Sequence, residues 1–144
     1  QGPGAELIAR WGCRFDAFGR WQELCPQLEP GVQAAAEAAG EGPRRLVLLM
    51  GYDGREELID AAERLGGQPI DPDAFGRALW TGDLPPVDLL IRTGGEPHLS
   101  AGFLLWRIAE AQLAFPEALW PAFGPVELHE ELQRFARIQR RHGA

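Results

Sequence analysis

Two short, continuous apolar runs constrain this chain more than any other feature. Arg45 to Met50 reads Arg-Leu-Val-Leu-Leu-Met and stops at Gly51, and Val87 to Ile91 repeats the pattern and stops at Arg92-Thr93-Gly94-Gly95. Runs of this length without polar alternation suit strands buried on both faces of a parallel sheet. Weaker strands are expected around Gly12 to Phe15 and Leu113 to Phe115. Helices are expected at Pro30 to Ala39, Gly54 to Leu65 and Asp71 to Leu79, the last opened by Asp71-Pro72, a cap and first-turn pair. Phe103 to Gln112 places Leu104, Leu105, Ile108 and Ala111 at the spacing of one buried helical face. Val126 to Arg141 carries Leu128, Leu132, Phe135 and Ile138 on one stripe, with arginines gathered at its end, where the helix dipole favours cations. Strands alternating with helices indicate an α/β domain.

At 144 residues and 45% hydrophobic, one globular domain with an ordinary core is expected. Residues 1–3 read as the remnant of a cleavable tag, leaving 4–144 as the domain. No apolar run is long enough to cross a bilayer and no signal-peptide pattern opens the chain, so a cytoplasmic protein is the expectation. The net charge of −7 disfavours nucleic acid and anionic membrane surfaces as partners. Any anionic ligand must therefore meet a local basic site, and since the chain has no lysine, that site is built of arginine. Cys13 and Cys25 have neither a disulfide framework nor metal-ligand spacing and read as free thiols.

The segment Asp88-Leu-Leu-Ile-Arg92-Thr-Gly-Gly-Glu96 brings an arginine and two glycines to the carboxyl end of a strand, the edge where open α/β sheets bind ligands. The glycines allow close backbone approach, and their N–H groups could hold an anion beside Arg92. Taken alone, the same pattern describes an ordinary turn with a surface charge.

The segment continues through Phe103-Leu-Leu-Trp-Arg-Ile-Ala, Leu119-Trp120-Pro121-Ala122-Phe123 and Arg140-Arg141-His142-Gly143, and upstream lies Gly51-Tyr52-Asp53-Gly54-Arg55. Together these resemble the C-terminal part of the cis-prenyltransferases, the undecaprenyl diphosphate synthase family. The resemblance implies a parallel-sheet α/β fold without the family's N-terminal strands and aspartate loop. It also implies condensation of isopentenyl diphosphate with an allylic diphosphate, using Mg2+, by a dimer. It places Arg92 and Ser100 where the family binds the diphosphate of isopentenyl diphosphate. Arg141 and Gly143 fall in the arginine-x-glycine tail that reaches the neighbouring subunit's active site.

Several positions depart from the family's pattern. Nothing matches the aspartate loop that binds the allylic diphosphate, and Asp53 follows the wrong strand to serve as that aspartate. The glutamate associated with magnesium aligns with Gln112, whose amide lacks the charge a hard cation prefers. The second diphosphate arginine aligns with His98, which is not permanently charged as arginine is.

This combination implies a small accessory subunit, inactive alone, of a heterodimeric cis-prenyltransferase. A longer homologous partner would supply the aspartate loop, most of the Mg2+ site and the elongation tunnel, and isoprenyl diphosphates would bind through the complex. The alternative is a purely structural or regulatory partner; a shortened form of an ordinary homodimeric enzyme fits Gln112 and His98 less well. Trp106 is expected in the core. His129 and His142 read as surface histidines, and Glu56, Glu57, Glu127, Glu130 and Glu131 as solvated helix charges.

Overall fold

A computed structural model of the chain describes residues 3–67 and 69–138. They gather into two compact units, Gln1–Asp83 and Leu84–Ala144.

In the first unit the order is α1 (Pro3–Trp11), β1 (Arg14–Phe18), α2 (Trp21–Leu24), α3 (Glu29–Glu37), β2 (Arg45–Leu49), α4 (Gly54–Leu65) and α5 (Pro72–Ala78). β1 and β2 pair in parallel, Arg14 with Arg45 through Phe18 with Leu49, and α3 lies between them in sequence and packs on β1. Past the strand ends, Gly19 has φ 111°, and a Cβ there would stand 2.2 Å from the Met50 carbonyl oxygen, so this tight approach requires glycine. α4 starts where Asp53 caps it, accepting from the N–H groups of Arg55 (2.7 Å) and Glu56 (3.3 Å), and stops at the left-handed Gly66. Capping is thus the observed task of Asp53. Asp71 caps α5 through Ala74 N–H at 2.7 Å, with Pro72 in the first turn.

The second unit holds β3 (Leu89–Ile91), β4 (Gln112–Ala114) and α6 (Pro125–Arg137), with β3 and β4 paired in parallel. The fold is α/β with parallel strands, arranged among the described residues as two separate pairs.

Several expectations are corrected. Phe103 to Ala111 is a run of bends and turns and Gln112 opens β4, so this stretch is not a helix. Leu104 accepts from both Arg107 and Ile108, but the Arg107 carbonyl accepts from Val87 N–H, and Gln112 donates to Asp88, so neighbouring strand backbone takes the groups a helix would use. β2 is not buried on both faces: Leu46 and Leu48 stay 42% and 39% exposed. The α6 stripe is largely uncovered, with Leu128, Leu132 and Ile138 exposed, and Trp106 is exposed rather than in the core. Glu57 and Glu131, expected in solvent, are buried. The helix α1 was not anticipated. Cys13 and Cys25 are free thiols, as expected.

Candidate functional site

β3 ends at Ile91, and Arg92 carries the ladder one step further by donating its N–H to Ala114 O at 2.9 Å. The turn that follows needs its glycines, since Gly94 and Gly95 have φ of 97° and 72°. Their amides do not form an open anion cradle. Gly94 N–H donates to the carbonyls of Pro116 and Ala118, each at 3.0 Å, and Gly95 N–H to Pro116 at 2.9 Å. These bonds dock the turn on the segment after β4 and correct the expectation that the amides face a ligand.

The Arg92 side chain is largely covered, and its terminal nitrogens both meet His98. Nη1 donates to the His98 carbonyl at 2.8 Å, and Nη2 lies 2.8 Å from His98 Nε2. A guanidinium can only donate, so Nε2 accepts and the ring proton belongs on Nδ1. That Nδ1 faces Glu96 Oε2 at 3.5 Å, and the same carboxylate lies 3.9 Å from Arg92 Nη2. On the other side, the guanidinium carbon stands 5.9 Å from the centre of the Phe103 ring, within cation–π range. The structure thus brings Arg92 and His98 together. Ser100 is exposed, and no hydrogen bond joins it to Arg92 among the described residues. Arg141 and Gly143 lie outside the described residues.

Gln112 is the first residue of β4, engaged through its N–H with Asp88 O. Among the described residues no three His, Cys, Asp or Glu side chains gather to hold an ion. The residues described do not fit a complete magnesium site.

Sequence reasoning missed a second feature, in the first unit. An apolar groove of about 680 Å³ runs between α1, α3 and one face of the β1–β2 pair. Ile8, Trp11, Leu28, Val32, Leu46 and Leu48 are among its walls, and among the described residues Arg44 and Arg45 are the only charged ones lining it. The signals were present: Ala5, Ile8 and Trp11 recur at three-residue spacing, and Leu46 and Leu48 alternate on β2 with Met50 continuing the period just past its end. A smaller cavity of about 330 Å³ is polar, with Arg14, Asp16, Glu41, Arg45 and Asp83 around it. Its centre is an ion-pair cluster, Arg45 Nε to Asp16 at 2.5 Å and Nη2 to Asp83 at 2.7 Å. The hydrogen bond to Asp16 raises the Arg45 pKa against the opposing effect of burial, and Asp83 adds to the rise. No helix of the described residues is long and apolar enough to cross a membrane.

Comparison with known proteins matches residues 4–143 to the family described as "Putative undecaprenyl diphosphate synthase". An isoprenyl transferase of Zymomonas mobilis is 35% identical over 146 residues, covering 94% of this chain and 58% of that protein. A tritrans,polycis-undecaprenyl-diphosphate synthase of Methanopyrus kandleri is 34% identical, covering 96% of this chain and 55% of its own length. The chain therefore spans little more than half of these relatives. Among solved structures, lavandulyl diphosphate synthase from Lavandula x intermedia superposes with a TM-score of 0.89 at 29% identity, covering 98% of this chain and 65% of that one. A probable undecaprenyl diphosphate synthase from Campylobacter jejuni gives 0.81 at 24% identity, covering 98% and 68%, which supports the fold.

Proposed function

Because the chain belongs to the undecaprenyl diphosphate synthase family of cis-prenyltransferases, we propose that it is the short subunit of a two-chain enzyme condensing isopentenyl diphosphate with an allylic diphosphate. One observation carries this reading. The arginine that the family resemblance assigns to diphosphate is met by an imidazole and its own carbonyl, where a second guanidinium would add charge for a phosphate. A site so arranged is a poor independent phosphate site. The catalytic contribution then passes to the tail, where Arg141 and Gly143 would serve the longer partner's active site.

In this reading Arg92, His98 and Ser100 mark the chain's own reduced diphosphate site. The partner supplies the allylic-diphosphate loop and most of the magnesium site. The groove beside Val32 and Leu48 supports an isoprenyl tail as the substrate class, since its lining is almost wholly hydrocarbon. The exposed apolar residues of α6 and the neighbouring Trp120, 76% exposed, support a partner surface. That last observation by itself also favours the second reading, a purely structural or regulatory partner that adds no group to the site.

The test is prenyl transfer from isopentenyl diphosphate with Mg2+, using this chain alone, a longer homologue alone and the two co-expressed. Activity only in the mixture is expected. Arg141→Ala should then slow the complex at least tenfold without dissociating it, about the loss of one charge-assisted hydrogen bond. An unchanged rate in an intact complex selects the structural reading, and full activity of this chain alone overturns both.

A further inference from the structure

The contact between Arg92 and His98 does more than leave a phosphate site weak. Phosphate is gripped by the paired terminal nitrogens of a guanidinium. In this chain both nitrogens of that fork are engaged by one residue, at 2.8 Å each, through a carbonyl oxygen and a ring nitrogen. Glu96 adds a carboxylate 3.9 Å from Nη2 and 3.5 Å from the Nδ1 of the same ring. A carbonyl, an imidazole nitrogen and a carboxylate are the acceptors that an anionic ligand would otherwise supply.

We propose that the Glu96–His98 segment is a built-in latch that occupies Arg92 in place of a ligand's phosphate oxygens, so that a diphosphate can bind only by displacing the His98 ring and carbonyl. The choice of ligand rests on the functional reading above, whereas the latch itself rests on the contacts. Several features make it a latch rather than a permanent core tie. The His98 and Glu96 side chains are 55% and 72% exposed, while Arg92 is only 21% exposed. The holding side chains of His98 and Glu96 therefore lie on the solvent side and can swing away without opening the interior. The Arg92 backbone is fixed independently by its bond to Ala114, and Gly94 and Gly95 by theirs to Pro116. Release of the latch would leave the arginine in place, and the only donors freed would belong to its side chain.

The experiment uses the full chain in three forms: wild type, His98→Ala and the double variant Arg92→Ala/His98→Ala. Two readouts are taken, the Arg92 guanidinium 15N resonances and equilibrium binding of inorganic pyrophosphate. The wild type should show a restrained Arg92 fork and weak binding. His98→Ala removes the ring but keeps the backbone carbonyl, so it should free the Nη2 end of the fork and tighten pyrophosphate binding by about tenfold, the scale of one charge-assisted hydrogen bond. The double variant should return to weak binding, tying the gain to Arg92. An Arg92 fork unaltered by His98→Ala overturns the latch, while the two-chain reading is decided separately by prenyl transfer in the co-expressed pair. A freed fork with no gain in pyrophosphate binding overturns the proposal from the other side, because Arg92 is then no phosphate site. A gain that survives loss of Arg92 overturns it as well.

Discussion

Oε1 of Glu57 accepts two hydrogen bonds from one residue, the backbone N–H of Thr81 at 2.9 Å and its hydroxyl at 2.7 Å. The second carboxylate oxygen accepts from the Tyr52 hydroxyl. Glu57 and Thr81 are 1% and 0% exposed, so one buried carboxylate on α4 anchors the chain beyond α5 and the turn before α4 together. Tyr52 also meets Trp80 edge to face, with centroids 6.1 Å apart, and Trp80 Nε1 donates to Asp60 at 2.6 Å.

Removing that carboxylate would break three buried hydrogen bonds. Glu57→Ala is expected to lower stability by about 3 kcal/mol, because each hydrogen bond lost costs about 1 kcal/mol. Thr81→Val leaves the backbone bond in place and should cost only about 1 kcal/mol. Urea unfolding of the two variants checks the difference. Equal effects would mean that Glu57 matters for packing volume rather than as an acceptor.

Acid stability should depend on Glu127. Backbone hydrogen bonds from its own N–H and that of Gly124, the latter at 2.8 Å to Oε2, hold its carboxyl below the ordinary value of 4.5. A folded pKa below the unfolded one adds stability that is present above the ordinary glutamate range. It is lost as pH falls through the depressed folded value. Glu127→Gln should therefore flatten the fall in stability on the acid side of pH 4.5 while changing the slope near neutrality little. Arg45 has the opposite sign: its raised pKa adds stability that disappears only in strong alkali, so it contributes no slope at neutral pH. Thermal melts across the acid range check the first statement, and melts from neutral to alkaline pH check the second.

The groove makes a size-sensitive target. Leu7 and Trp11 are 54% and 62% exposed and, with Leu46 and Leu48, leave apolar surface open to solvent along it. The isolated chain is expected to self-associate, and Leu46→Gln/Leu48→Gln to reduce the associated fraction in size exclusion with light scattering. Val32→Trp should fill the groove and weaken binding of a hydrophobic fluorescent probe by roughly tenfold, the scale of losing one side chain's apolar burial. Probe binding unaffected by Val32→Trp would place the apolar site elsewhere.

Local chemistry made much of this legible beforehand. α4 runs from Gly54 to Leu65 as its sequence predicts, because Asp53 and Gly66 are short-range signals that need no distant partner. The strand before Arg92 and the glycines after it were also readable, and they carry the family resemblance. The stretch from Phe103 to Gln112 was misread because its apolar spacing suits a helix, while the hydrogen bonds of Val87 and Asp88 draw it into turns and a strand. Glu57 and Glu131 were misread because helical position alone does not reveal which carboxylates are covered.

The α/β alternation, the capped helices, the arginine at the strand end and the family are legible along the chain, since these depend on neighbours in the chain and on motif order. Folding in three dimensions turns the Gly94 and Gly95 amides to Pro116 and Ala118, sets His98 on both ends of the Arg92 fork, and leaves a groove between α1, α3 and β2. Hydrogen-bonding groups and apolar faces are written in the sequence, but their partners are not. Which acceptor meets which donor depends on where backbone segments far apart in the chain come together, and burial makes that choice costly to reverse.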